Sequence, residues 1–404
     1  MEKIVDSKSQ RIVIIGIGYS SRIGIIRAVA QMGCEVVVVA LEGGDEQPID
    51  TYSKYVAEVI RFPQRKGSDE LAHMLVEWCS VAGQKPILIP NSDFSASAID
   101  THYDMLSEYF LMPNIHHTQG AILQWMDKER QKALAEKLGM NVANATNIII
   151  TDGKYTIPQG IHFPCFTKTR SYIAGYKNTL HRCNNYEELL QTVAKMAQAM
   201  PNMTLMVEDF MDIETEYAVL GFSDGKNVVI PAIIEMMRMT EGKDKGVAMQ
   251  GKVGPVGKLK NLTDKFADLV REIGFTGLFD IDFYMSGGKY YFDELNLRIG
   301  GSATAVTKMG VNLPGMMVMA LTGKDFGSMS DSVSSTAIFA NERTCIESWS
   351  DGYLSAGELR QILNSSDIRF VDDSDDTKPA KMLRRRLRIM MAKRMIKNFL
   401  PWMR

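Results

Sequence analysis

Glu294, Asn296 and Arg298 stand two residues apart in the run YYFDELNLR. Side chains on a β-strand alternate between faces, so this spacing points a carboxylate, an amide oxygen and a guanidinium the same way. Hard oxygen donors suit Mg²⁺, and a guanidinium suits a phosphoryl or carboxylate oxygen. The set reads as a site for a cation together with phosphate. Asp282, in the preceding run, joins it if a hairpin pairs the two segments in the right register. A strand with one solvated face has the same alternation, and the spacing by itself leaves both readings open.

The elements that must position these residues follow from local pattern. Leu278, Phe279, Ile281 and Phe283 interleave with Asp280 and Asp282, and Ser286-Gly287-Gly288 supplies a turn. Upstream, Asp127 is placed to cap a helix running from Lys128 to Leu138 and stopped at Gly139. Phe163 to Lys168 is a short strand, and RSYIAGYKNT (170–179) is a loop holding Gly175 and Lys177. Glycine lets backbone N–H groups approach an anion, and lysine adds a point charge. A helix from Tyr186 to Met200 precedes a strand over Leu205–Met211, which contains Glu208, Asp209 and Phe210. Glu216 then opens a hairpin turning at Asp224-Gly225. Residues 239–258, with the run GKVGPVGK, read as a long irregular loop. Long loops tend to be functional, so Arg238, Lys243 and Lys252 are candidates for closing an acceptor site.

At the front, Arg11–Gly16, a helical pattern through Ala30 with Gly33 as its stop, and Val36–Ala40 form a βαβ unit of a parallel sheet. Gly16-Ile17-Gly18 invites a dinucleotide reading with Glu42 on the ribose, but Ser21 occupies the third glycine position. Pro86–Pro90 is a further strand. Ser20, Asn91 and Asp93 lie at strand ends, where α/β sheets bind ligands; helix caps and turns are their plainer role.

The order of these segments resembles the ATP-grasp superfamily over most of residues 11–325. Its most specific part is the run Glu294-x-Asn296-x-Arg298-x-x-x-Ser302, similar to that of carbamoyl-phosphate synthase large chains, with Leu297 where proline is usual. The resemblance implies an α/β chain in three parts: a Rossmann-like domain (1–115), an ATP-grasp domain (116–330) and a variable segment (331–404). It implies ATP and Mg²⁺, with Mn²⁺ as a substitute, and metal ligands Asp282, Glu294 and Asn296. Lys128, Lys168, Gly175 and Lys177 would hold the nucleotide phosphates. Glu208, Asp209 and Phe210 would line the adenine, Glu216 would hold the ribose, and Arg298 with Lys177 would act in catalysis. Thr169 and Asn178 depart from the usual proline and glycine. The implied reaction joins a small-molecule carboxylate to an amine, or to a thiol, through an acyl-phosphate. A homodimer is also implied.

Totals bound the alternatives. In 404 residues, 45% hydrophobic and with net charge −2, nothing advertises nucleic-acid binding. Cys34, Cys79, Cys165, Cys183 and Cys345 form no C-x-x-C pair, which argues against structural zinc and a disulfide framework. The first ten residues lack an apolar signal core and no long apolar run follows, so the cytoplasm is the expected compartment. The acidic run Asp372–Asp376 reads as a solvated linker. From Lys381 to Arg404 nine Lys/Arg and no acid accompany many apolar residues, a pattern that fits weak contact with an anionic membrane surface or docking on the body. A bicarbonate-using carboxylase, a nicotinamide-dependent oxidoreductase and a non-catalytic nucleotide-binding regulator remain the competing readings.

Overall fold

The computed structural model describes residues 10–17, 20–43, 47–79, 85–171, 180–241 and 246–399, without the side chains of Ser20 and 393–399. A parallel sheet comes first, built from β1 (Arg11–Gly16), β2 (Glu35–Ala40), β3 (Val56–Arg61) and β4 (Ile87–Pro90) in the order β3-β2-β1-β4. Strands β1, β2 and β4 are nearly continuous apolar runs because both their faces are covered, while the edge strand β3 is partly exposed. Ile12, Ile14, Val36 and Val38 pack towards α1 (Ser20–Ala30). Val13, Ile15, Val37 and Val39 pack towards α2 (Ser68–Cys79), α3 (Asp93–Thr101) and α4 (Tyr103–Ser107). A Cβ on Gly16 would fall on the Asn91 side chain, so this glycine serves a close approach of strand ends. Arg22, fully buried, donates to Gly16 O at 2.7 Å and pairs with Glu42 at 2.9 Å and with Asp50. The acid that a dinucleotide reading would put on a ribose is therefore held by an arginine.

After β5 (Asn114–Ile115), α5 (Ala121–Trp125), α6 (Lys128–Lys137) and β6 (Asn141–Val142) comes a small antiparallel sheet. It comprises β7 (Ala145–Thr151), β8 (Lys154–Tyr155), β9 (Cys165–Thr169), β10 (His181–Cys183) and β11 (Met203–Asp209) in the order β10-β9-β11-β7-β8. The helix α7 (Tyr186–Ala199), capped by Asn185, sets Leu189, Val193, Met196 and Ala197 on one face of it. Lys168 and Glu208 belong to the other face.

The large sheet contains β12 (Thr215–Asp224), β13 (Val228–Val229), β14 (Ile233–Met239), β15 (Ala248–Gly254), β16 (Phe275–Ser286), β17 (Lys289–Asn296), β18 (Ala337–Ala340) and β19 (Ile368–Arg369). Its main order is β19-β18-β15-β14-β12-β16-β17-β6, with β13 on β12 and β5 on β16. Phe279, Ile281 and Phe283 pack against Phe266, Leu269, Val270 and Ile273 of α8 (Lys260–Ile273). Alternation then turns Asp280 and Asp282 to the opposite face.

Two expectations are corrected. Residues 248–254 are not an irregular loop but a strand bonded between β14 and β18. Its glycines serve close packing: a Cβ on Gly251 would meet the Phe339 ring at 2.5 Å. The acidic run is not a solvated linker either. Asp376 is 1% exposed and pairs with Arg27 at 3.1 Å. Asp375 pairs with Lys54, Asp373 with Lys308, and Asp372 with Arg384. These basic partners lie mostly far away in sequence, where a local charge count does not see them.

After β17 come α9 (Ala303–Lys308) and α10 (Leu313–Leu321), and the chain after 330 continues the large sheet through β18 and β19, with α11 (Glu342–Ser350) and α12 (Ala356–Asn364) between them. It ends in α13 (Thr377–Phe399), whose Ala380, Leu383, Leu387 and Met390 lie against the body beside Cys345, Ile346, Leu359 and Ile362. Of the apolar residues of this basic tail, Leu383 is buried and Leu387 and Met390 are half-buried against the body, while Ile389 and Met391 stay exposed. No helix among the described residues is long and apolar enough to cross a membrane.

Candidate active site

The β16–β17 hairpin pairs Asp280 with Asn296 and Asp282 with Glu294, then shifts register so that Phe283 faces Phe292. Asp293 is the extra residue of a β-bulge, a device that re-aims side chains. Asp293 and Glu294, neighbours in sequence, consequently both reach the same charged cluster. Asn296 Nδ2 donates to Asp282 Oδ2 at 3.1 Å and to Glu294 Oε1 at 3.4 Å. Its Oδ1 accepts from Arg298 Nη2 at 3.2 Å. Arg298 also donates to Asp280 Oδ2 at 3.4 Å and, through Nε, to Asp93 Oδ1 at 2.9 Å. The parallel sheet thereby reaches into the cluster from the end of β4.

Lysines close it from the other side. Asp127 caps α6 by accepting from the N–H groups of Glu129 and Arg130, and the helix places Lys128 and Lys132 one turn apart. Lys128 pairs with Glu294, and Lys132 with Glu208. Lys168, on β9, lies between Glu208 at 3.0 Å and Asp293 at 2.8 Å, bridging the small sheet to the large one.

These contacts set the protonation states. Burial opposes charge on Lys168, but Asp293 and Glu208 outweigh it and hold the ammonium above its usual range. Burial and the nearby Lys168 charge pull Lys128 down to about 8. Asp293 is held at about 2: burial opposes its ionisation, and Lys168 and Lys132 more than compensate. Asp280 is pushed up to about 6 by burial, against the pull of Arg298. Asp282 is pushed well above the usual carboxylate range by burial and by the charges of Asp280 and Asp293.

Buried carboxylates that resist ionisation mark a place short of positive charge. Asp280 Oδ1, buried, has no hydrogen-bond partner among the described residues. No three His, Cys, Asp or Glu side chains converge as a metal cage among the described residues. The donor set is two carboxylates, Asp282 and Glu294, and the amide of Asn296. It fits a hard divalent cation completed by water and phosphate. Asn296 presents its NH₂ to the carboxylates, and a half-turn of the amide would present its oxygen instead.

Of the other expected residues, Glu216 is exposed and pairs in register with Tyr284, on the sheet face that carries Asp282. Asp209 accepts from Asn144 Nδ2 at 2.9 Å and pairs with His162. The Arg182 guanidinium stacks over the Phe210 ring, 4.2 Å from its centre. The N–H groups of Asp209 and Phe210 already donate to Asn144 O and Pro164 O. Contact with an adenine edge through them would require those bonds to open. Gly175, Lys177 and Lys243 lie outside the described residues. Asn91 is internal, donating to Ile17 O at 3.0 Å. Arg238 and Lys252 are not brought to the cluster: they pair with Glu358 and Glu235. Three members were not anticipated. Asp280 alternates with Asp282, and Lys132 lies one turn from Lys128, so both were within reach of the pattern. Asp293 was not, since a bulge leaves no mark in spacing.

No protein-family model matches the chain. A carbamoyl phosphate synthase large chain from Gemmatimonas aurantiaca is 26% identical over 204 residues, 49% of this chain and 18% of that one. The chain spans 18–32% of the length of the curated relatives it matches. The N5-carboxyaminoimidazole synthetase of Staphylococcus aureus complexed with ADP superposes with a TM-score of 0.61 at 18% identity, over 84% of this chain and 85% of that one. The L-amino acid ligase of Bacillus licheniformis gives 0.62 at 14% identity, over 82% and 80%. With a small and a large sheet meeting at the Lys168–Asp293 pair behind a Rossmann-like front sheet, the chain carries an ATP-grasp superfamily domain.

Proposed function

We propose that the chain is an ATP-dependent carboxylate–amine ligase. A carboxylate oxygen attacks the γ-phosphorus of ATP, and ADP leaves with the electron pair of the broken P–O bond. An amine then attacks the acyl-phosphate carbon, phosphate leaves, and the nitrogen gives up a proton. The observation that carries this reading is the convergence of Asp282, Glu294, Asn296, Arg298 and Lys128 in one charged cluster.

Each residue has a physical task. Asp282, Glu294 and Asn296 would hold Mg²⁺, or Mn²⁺ in its place, and a bound divalent ion neutralises charge between the β- and γ-phosphates. Lys128 leaves Glu294 for a phosphate oxygen. Lys168, kept charged by Glu208 and Asp293, fixes the phosphates from the small sheet, and motif order alone adds Gly175 and Lys177 to this task. Glu208, Asp209 and Phe210 line the purine, and Glu216 accepts from the ribose hydroxyls. Arg298 steadies the transferring phosphoryl group or the substrate carboxylate. No nucleophilic side chain is required.

The likeness to a carbamoyl phosphate synthase large chain favours a second reading, in which bicarbonate is the acid phosphorylated. One experiment separates the readings: ADP release from Mg-ATP against a panel of carboxylates and amines, with labelled bicarbonate as one arm and Glu294→Gln as the control. ADP that depends on an organic acid and vanishes in the control is expected. Label incorporation without an organic acid would make the chain a carboxylase. Tight ATP binding with no turnover in any arm would leave a nucleotide-binding regulator.

A further inference from the structure

Asp93 follows the α3 cap Ser92 and comes from the parallel sheet, yet its Oδ1 meets Arg298 Nε at 2.9 Å. Its side chain is 42% exposed. The same guanidinium already faces the buried Asp280, whose side chain is 11% exposed. Asp93 is thus a second carboxylate on a guanidinium that Asp280 already meets, and its charge also reaches Lys128. That carboxylate also stands towards solvent, where a ligand arrives. Its exposed side can meet a cation that a ligand brings.

Bicarbonate brings no such cation and would add negative charge. An amino acid brings both groups: a carboxylate for Arg298 and an ammonium for Asp93. The 2.9 Å contact sets the two complementary charges side by side, as they are in one amino acid. Arg298 also touches Asn296 Oδ1 at 3.2 Å, so a carboxylate held there lies next to the proposed cation ligands. We infer that the acid phosphorylated is an amino acid with a free ammonium group, and that Asp93 selects it by holding that ammonium. This rests on the ligase reading above.

The test uses the full chain with Mg-ATP and hydroxylamine as the trapping amine. The carboxylate oxygen takes the γ-phosphoryl group from ATP. Hydroxylamine nitrogen then displaces phosphate from the carbonyl carbon, losing a proton and leaving a hydroxamate, which is read as its coloured complex with added ferric ion. The acids offered are the twenty common amino acids and β-alanine, each beside the same acid without its amino group. At least one amino acid is expected to give hydroxamate and ADP, with its deaminated partner lower in kcat/KM by about 100-fold or more. Asp93→Asn should raise KM for that amino acid by about 10-fold or more, with KM for ATP and the melting temperature unchanged, and Asp93→Glu should recover part of the loss. Deaminated acids or bicarbonate serving equally well would overturn the inference and leave an ATP-dependent enzyme of another acid. So would an Asp93→Asn variant that loses kcat equally with every acid, since Asp93 would then only position Arg298. ADP from no acid at all, with ATP bound, would remove the ligase reading and this inference together.

Discussion

Asp282 is the residue at which stability and the proposed chemistry oppose each other most clearly. It shares a buried face with Asp280 and Asp293, and burial with their charges pushes its carboxyl well up. Such an arrangement costs stability until a cation arrives. Asp282→Asn keeps the shape and the bond from Asn296 while removing the charge. The free protein should gain about 1 kcal/mol, roughly 2 °C in melting temperature, and ADP release should fall by about 100-fold or more. A lower melting temperature with turnover intact would show that Asp282 serves only to hold Asn296. Lys168 presents the opposite case: two carboxylates keep it charged although it is buried, which suits the phosphate contact proposed for it.

At the scale of elements, the acidic run joins parts that no local interaction would hold. Arg27 of α1 is buried, donates to Phe370 O and Val371 O at 2.9 Å each, and pairs with Asp376. Glu342 accepts from the N–H groups of Phe370, Val371 and Asp372. Arg27→Ala leaves the Asp376 carboxylate buried with the Lys54 N–H but no cation, and should cost about 3–5 kcal/mol, read by denaturant unfolding. Acid should loosen the same joint. Burial raises the Asp373 carboxyl, but Arg27 and Lys308 outweigh it and hold it below its usual range. A depressed folded value means stability that is present above the unfolded value, about 3.9, and lost as pH falls through the folded one. Melting temperature should therefore hold from pH 7 to 5, drop below about pH 4, and drop less steeply in Asp373→Asn. Equal slopes in the two proteins would remove Asp373 from the joint.

At the scale of the whole molecule, the chain after 330 belongs to the body. β18 hydrogen-bonds β15, and Phe339 stacks on Phe370 with both fully buried. A chain ending at residue 330 would expose the β15 edge and lose that core, and it should show no cooperative melt. A cooperative melt with ATP binding retained would make 331–404 an appendage. The front unit is coupled as closely: Gly24 of α1 lets Thr304 of α9 approach, and a Cβ there would meet the Thr304 backbone at 3.0 Å. The sequence by itself determined what depends on short range. Val/Ile runs marked β1, β2 and β4, a cap marked α6, and two-residue spacing set Glu294 and Asn296 on one face, with Arg298 just past the end of the strand. Resemblance in motif order supplied the ATP-grasp fold. Only the tertiary structure decided the bulge that turns Asp293 into the cluster, the pairing of Asp93 with Arg298 across 205 residues, the strand at 248–254 and the docking of the acidic run. The physical reason is common to all four. Each depends on partners distant in sequence, and neither strand register nor ion pairing between such partners is written in the local pattern that periodicity and charge counts read.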